Sequence, residues 1–413
     1  MILAGEAVFI PPFHLGRYFK SSLLGTLEIN EFQLGEAQAL YGVVAMACYA
    51  LGGPLADRFA PRRLLALSLL LTAGGSLWMA TVPSLLGLKL LYAFWGASTV
   101  LVFWAPLIRA TREWGGEPAQ GRAFGLLDGG RGLVAALAAS LAASGVIAAL
   151  GADALDDPVS QRTALQGLAV FYALCCVGAA AAVWFFVGND RPEDTTDQDD
   201  ANARRRAPLA DTLWCLRQPT IWLQAVVVIA AYSAYKGFDF YGLYLEDAAG
   251  VSKTRSAELT SYLNYLRVVA TFGAGLLADR IGSVATVVAG CFAVLIGSYA
   301  WLLTGGGGYA VIIGVLAAAS AGSYALRGIY FALLQESRSP RRLTGAAVGV
   351  ISFVGFTPDI FMPWVSGWLV ASARDAGDVL LGYERFYGLL AGLAAVGLVA
   401  ALLLRRRAAK QYD

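Results

Sequence analysis

Gly53-Pro-Leu-Ala-Asp57-Arg58 and Gly275-Leu-Leu-Ala-Asp279-Arg280 differ at a single position and lie more than half the chain apart. Each follows the second long apolar stretch of its half. A weaker echo sets Gly121-Arg-Ala-Phe-Gly125 over Gly345-Ala-Ala-Val-Gly349 at nearly the same offset. Working outward from these repeats, apolar stretches fill residues 2–27, 37–56, 64–81, 85–108, 122–149 and 163–187. A second set fills 219–245, 256–278, 284–304, 309–333, 345–371 and 383–404. Stretches of about 20 apolar residues match the ~30 Å hydrocarbon core of a bilayer. The expectation is an all-α polytopic membrane protein, with twelve transmembrane helices in two pseudo-symmetric six-helix bundles.

Composition supports this. Of 413 residues, 58% are hydrophobic and 15% charged, against about 25% charged in soluble domains. A dozen such stretches do not share one soluble core. Residues 1–188 and 219–404 are read as the two bundles, 189–218 as a charged cytoplasmic linker and 405–413 as a cytoplasmic tail. The linker run Asp190-Arg-Pro-Glu-Asp-Thr-Thr-Asp-Gln-Asp-Asp has no apolar anchor. With a cytoplasmic N-terminus, nineteen Lys and Arg residues fall on the cytoplasmic side and five on the other. That asymmetry predicts an inner (plasma) membrane protein with both termini cytoplasmic. No cleavable signal peptide is read. Cys48, Cys175, Cys176, Cys215 and Cys291 have neither metal-site nor disulfide spacing, and the net charge of +2 names no partner.

Gly53-Pro-Leu-Ala-Asp57-Arg58-Phe-Ala-Pro-Arg62-Arg63 resembles the signature loop of the major facilitator superfamily, and Gly275 to Gly282 is a reduced copy. The first copy departs from the usual pattern at Ala60-Pro61. The resemblance in layout covers the whole chain and implies a secondary transporter working by alternating access. It also implies that Asp57, Arg58, Arg62, Asp279 and Arg280 form a cytoplasmic gate between the halves. A carboxylate near a helix C-terminus, like Asp57, needs a cation or another helix's N-terminus beside it. More loosely, Phe13-His-Leu-Gly-Arg17-Tyr-Phe, Gly129-Gly-Arg131-Gly-Leu and Gly355-Phe-Thr-Pro358-Asp359 resemble bacterial sugar-phosphate and organic-anion permeases. Arg17 and Lys236 match the paired basic residues of such permeases approximately.

Ionisable groups inside spans are costly and usually face the interior or a wet cavity. Here they are His14, Arg17, Lys20, Lys89, Asp128, Arg131, Lys236, Asp239, Arg267, Arg327 and Asp359. Spans 3, 6, 9 and 12 have none in their interiors; by the resemblance these are outer supports and the others line a cavity. Seven cations oppose three carboxylates. Asp128 with Arg131, and Asp239 with Lys236, are expected to pair along one helix face. Arg17, Lys20, Lys89, Arg267 and Arg327 then remain, offset only by Asp359. A basic cavity of this kind predicts a small anionic substrate, a carboxylate or phosphate gripped by guanidinium groups. Arg17, Lys236, Arg267, Arg327, Tyr235 and Tyr265 are the expected substrate contacts. Lys89 is expected to snorkel at its span's end. His14, Asp128, Arg131, Asp239 and Asp359 are the expected coupling or charge-pair residues.

Coupling is left between protons, through Asp359 or His14, and a counter-anion. A proton-driven exporter of lipophilic compounds is the first alternative. It fits less well, because the cavity is basic and span 5 lacks a Gly-Pro element. A transporter-like anion sensor is the second. No nucleophile–base pair, metal cluster or nucleotide loop is present, so no enzyme activity, cofactor or nucleic-acid partner is expected, and the chain is read as a monomer in the lipid bilayer. Replacing Arg17 or Arg267 by Gln is expected to abolish anion uptake and leave folding intact.

Overall fold

A computed structural model describes residues 1–115, 120–151, 154–188, 212–304, 307–336 and 344–409, and every regular element among them is helical. Most of the 189–218 linker and the end of the tail lie outside these residues.

Nine helices among the described residues are long and apolar enough to cross a membrane. Three more spans complete the set. Span 1 is built from Ile2–Ala7, Ile10–Tyr18 and Lys20–Leu27, span 2 is Glu31–Arg58, and span 8 is Lys253–Leu263 with Leu266–Ile281. The others are span 3 (Pro61–Ala80), span 4 (Leu85–Val100 and Trp104–Gly115), span 5 (Gln120–Leu150) and span 6 (Pro158–Phe186). Span 7 is Pro219–Gly237, a 3-10 turn Phe238–Phe240 and Tyr241–Ala249, followed by span 9, Val284–Leu302. Span 10 is Tyr309–Ile329 with Leu333–Glu336, span 11 is Thr344–Gly355 with Pro358–Asp375, and span 12 is Val379–Ala409. The twelve form two six-helix bundles.

The breaks have local causes. Pro11 and Pro12 lack the N–H groups that would continue the first piece of span 1, so the helix restarts at Ile10. Pro358 likewise restarts span 11. Span 2 begins earlier than residue 37, the expected start. Asn30 accepts from the Gln33 N–H at 2.9 Å while Gln33 Oε1 accepts from the Asn30 N–H at 3.0 Å. This reciprocal cap launches the helix at Glu31. The polar run Glu31, Gln33, Glu36, Gln38 had masked that start in a hydropathy reading.

Spans 2 and 11 cross with their backbones almost touching. A Cβ on Gly42 would lie 2.6 Å from the Asp359 carbonyl oxygen, and one on Gly367 would collide with that of Glu31. Only glycine permits that approach. Around the outside, Leu70, Leu77, Leu141, Leu174, Phe185 and Val269 are exposed, as a lipid-facing surface requires.

Candidate functional site

Between the halves lies a cavity of about 100 Å³. Among the described residues its lining comes from spans 1, 2, 4, 5, 7, 8, 10 and 11, with none from spans 3, 6, 9 or 12. Six of the eight lining spans are interrupted helices, which places freed backbone and irregular turns near the cavity rather than against lipid.

Its charges form two linked networks. In the first, Arg17 Nε donates to Asp239 Oδ1 at 2.5 Å and Arg17 Nη1 donates to the Tyr235 hydroxyl at 2.8 Å. Lys236 Nζ stands 3.7 Å from the other Asp239 oxygen and 3.3 Å from Asp359. The Tyr232 hydroxyl is 3.1 Å from each Asp359 oxygen. In the second, Glu6 takes Arg131 at 3.2 Å and Arg267 at 3.8 Å, while Asp128 takes Arg267 at 3.4 Å and Arg131 at 3.8 Å. Two carboxylates and two guanidiniums thus clamp span 1 to spans 5 and 8.

Arg327 belongs to neither network. Its guanidinium lies over the Tyr235 ring at 4.0 Å and near that of Tyr232 at 5.6 Å. It lines the cavity and makes no ion pair among the described residues. Lys20 is a second cation without an ion pair among the described residues, buried with its Nζ 3.4 Å from the centroid of Phe240, but it does not line the cavity.

The structure brings Arg17, Lys236, Arg267, Arg327, Tyr235, His14, Arg131 and Asp359 together on the cavity wall, with Asp128 and Asp239 directly behind. Tyr265, at the break in span 8, is not part of the lining. The charge reading needs correction. Glu6 was missed, and Glu36, which belongs to the early part of span 2, pairs with Lys89 at 2.9 Å, so Lys89 is an ion-pair partner. Arg17 and Arg267 are not uncompensated. The pairs Asp128–Arg131 and Asp239–Lys236 are present, yet each carboxylate has a closer partner on another span. Six interior cations (Arg17, Lys20, Arg131, Lys236, Arg267, Arg327) face four carboxylates (Glu6, Asp128, Asp239, Asp359). The excess survives at two rather than at four, the earlier figure. The Asn30-x-x-Gln33 cap was the signal that could have recovered Glu31 and Glu36.

The two ends of the bundle differ. At the end where spans 2 and 8 begin, Arg374 donates to Glu31 at 2.8 Å and to Asp247 at 2.7 Å, and the Tyr383 hydroxyl donates to Asp247 at 2.6 Å. This joins the halves across the tight crossing of spans 2 and 11. At the other end, Arg62 lies over the Trp184 ring at 4.8 Å and reaches the Trp184 carbonyl at 3.4 Å, both within its own half. Asp279 and Arg280 are exposed, without an ion pair among the described residues. The side chains of Asp57 and Arg58 lie outside the described residues.

Residues 5–363 match the family described as the Major Facilitator Superfamily. The chain is 24% identical over 379 residues to the inner membrane protein YqcE of Escherichia coli (strain K12), covering 89% of this chain and 84% of that one. It is also 24% identical over 384 residues to the inner membrane protein YihN of the same strain, covering 91% and 87%. Among solved structures, it resembles a bacterial homologue of the human lysosomal transporter Spinster, inward-facing and occupied. That match has a TM-score of 0.71 and 13% identity over 98% of this chain and 95% of that one. It resembles a D-xylose–proton symporter to the same TM-score, 0.71, with 14% identity over 98% and 95%. At these identities the likeness speaks for the fold alone.

Proposed function

Since the chain belongs to the Major Facilitator Superfamily, and is a multi-pass membrane transporter of the secondary kind rather than an enzyme, we propose that its cargo is a small organic anion. The observation that carries this reading is Arg327. It is a guanidinium on the cavity wall that faces tyrosine rings and has no carboxylate partner among the described residues. A cation in a low-dielectric site is stabilised strongly by a counter-charge, and a carboxylate or phosphate can take its parallel N–H groups in pairs. The excess of cations over carboxylates points the same way. Solved relatives of this fold include a nucleoside transporter and a D-xylose–proton symporter, so the fold leaves the cargo to the side chains.

The test is thermal stabilisation of the purified protein by carboxylates, phosphates and sulfonates, with neutral and cationic compounds as controls. A selective shift with one anion class is expected, and it should be lost in Arg327→Gln. Shifts with lipophilic cations alone would overturn the reading and favour an exporter.

For coupling, Asp359 is the candidate. Its contacts with Lys236 and Tyr232 tie span 11 to span 7 beside the cavity, so neutralising it changes the charge that Lys236 meets. Asp359→Asn is expected to abolish uphill uptake into proteoliposomes and preserve exchange. Undiminished accumulation would turn the coupling to a counter-anion. We further propose that the carrier is a monomer of the inner membrane with both termini cytoplasmic, a reading that the asymmetry of loop Lys and Arg supports.

A further inference from the structure

Lys20 stands one turn beyond Arg17, towards the closed end of the bundle, where span 1 restarts after Phe19. It is 4% exposed, makes no ion pair among the described residues, and holds its Nζ over the Phe240 ring. A ring face attracts an ammonium, but in a dry site a carboxylate attracts it far more strongly. The carboxylates whose charge reaches Lys20 are those of Asp239 and Glu31. Both are engaged by arginines, Asp239 by Arg17 and Glu31 by Arg374. Glu31 is itself buried.

Sorted by half, these groups fall unevenly. Lys20 and Glu31 belong to the first half, on spans 1 and 2, whereas Phe240, Asp239 and Arg374 belong to the second, on spans 7 and 11. Alternating access requires the closed end to open by movement of one half against the other. That movement carries Phe240 away from Lys20 and Arg374 away from Glu31 together. The second half stays compensated, because Arg374 keeps Asp247 and Asp239 keeps Lys236. The first half is left with a stranded carboxylate and a stranded ammonium at the same end of one bundle. We propose that Lys20 is a positioning residue of the transport cycle, parked on Phe240 while this end is closed and paired with Glu31 when it opens. A pair within one half then replaces contacts made between the halves, which offsets part of the loss of the Glu31–Arg374 bridge. Lys20 touches no cargo. It acts through Glu31 on the balance between the two arrangements, whatever charge the cargo carries.

The test needs no cargo. A cysteine is placed at Gln38, which is buried in span 2, in the full chain with its five native cysteines replaced by Ala. The rate at which N-ethylmaleimide labels the purified protein then follows the fraction of time this end is open. Lys20→Met is expected to slow labelling, because the open arrangement loses its pair. The slowing should be about threefold greater, or more, with Glu31 present than in a Glu31→Gln background, the size of a coupling between two partly solvated charges. Lys20→Arg, which keeps the charge, should label much as the parent does. A packing role for the Lys20 side chain would give the same slowing in both backgrounds, and that result overturns the proposal. Unchanged labelling in Lys20→Met overturns it as well, and so does a Lys20→Arg variant that labels as slowly as Lys20→Met. None of these outcomes bears on the anionic reading, which stands or falls by its own ligand panel.

Discussion

At the scale of single residues, the charges in this protein act as partners before they act as ligands. Arg17 stands at mid-span, where snorkelling is hardest, and its guanidinium is committed to Asp239 and Tyr235. Removing one member of a buried ion pair typically costs about 3–5 kcal/mol because the other charge is stranded. Lys236, at 3.7 Å from Asp239, softens that loss. Arg17→Gln is therefore expected to lower thermal stability by an amount near the low end of that range, contrary to the expectation of intact folding. The double variant Arg17→Gln/Asp239→Asn should recover much of it. Equal melting temperatures for wild type and Arg17→Gln would show that the pair contributes little. Arg327 is the contrast: with no carboxylate to strand, its loss should spare unliganded stability and be felt in ligand binding.

At the scale of elements, the crossing of spans 2 and 11 decides how the cavity is closed at one end. The Gly42 Cα faces the peptide of Asp359, so helix contact and the candidate coupling carboxylate are mechanically joined. A methyl group at 2.6 Å from that carbonyl must push the helices apart. Gly42→Ala is expected to destabilise this closed arrangement by about 1–3 kcal/mol, the usual cost of overpacking. Thermal unfolding with and without an anion that binds would reveal it, and an unaltered melting curve would mean that span 11 yields freely. The crossing itself was not legible in the sequence. Gly35, Gly42 and Gly367 read as three unremarkable small residues until two helices from different halves are laid together.

At the scale of the molecule, the Glu31–Arg374–Asp247 bridge and the Gly42 crossing close the same end, whereas Asp279 and Arg280 are exposed at the other. If the N-terminus is cytoplasmic, as proposed, the closed end faces outward and this arrangement is sealed from outside. Arg374 is partly exposed, so each of its pairs contributes about 1 kcal/mol or less. Even so, a bias of 1.4 kcal/mol shifts a two-state equilibrium about tenfold. Arg374→Gln should raise labelling of a cysteine placed at Gln38, just below the bridge, by an impermeant thiol reagent applied from outside. Labelling equal to that of the parent would assign closure to the glycine crossing alone.

Much of this architecture is written in contiguous stretches of chain. Apolar length answers to bilayer thickness, and loop Lys and Arg answer to the membrane's two sides, so the number of spans, the duplication and the polar interior at Arg17, Arg267 and Arg327 can be read without coordinates. Pairing is another matter. Arg17 and Asp239 are 222 residues apart, and Arg374 and Glu31 are 343 apart. Whether a buried cation is free or spoken for depends on which helices meet and at what rotation. Only the folded arrangement made Glu6 a partner of Arg131 and Arg267, left Arg327 against tyrosine faces, and gave Lys20 and Glu31 of one half their contacts with Phe240 and Arg374 of the other, because burial and hydrogen bonding between distant spans are properties of packing and not of local sequence.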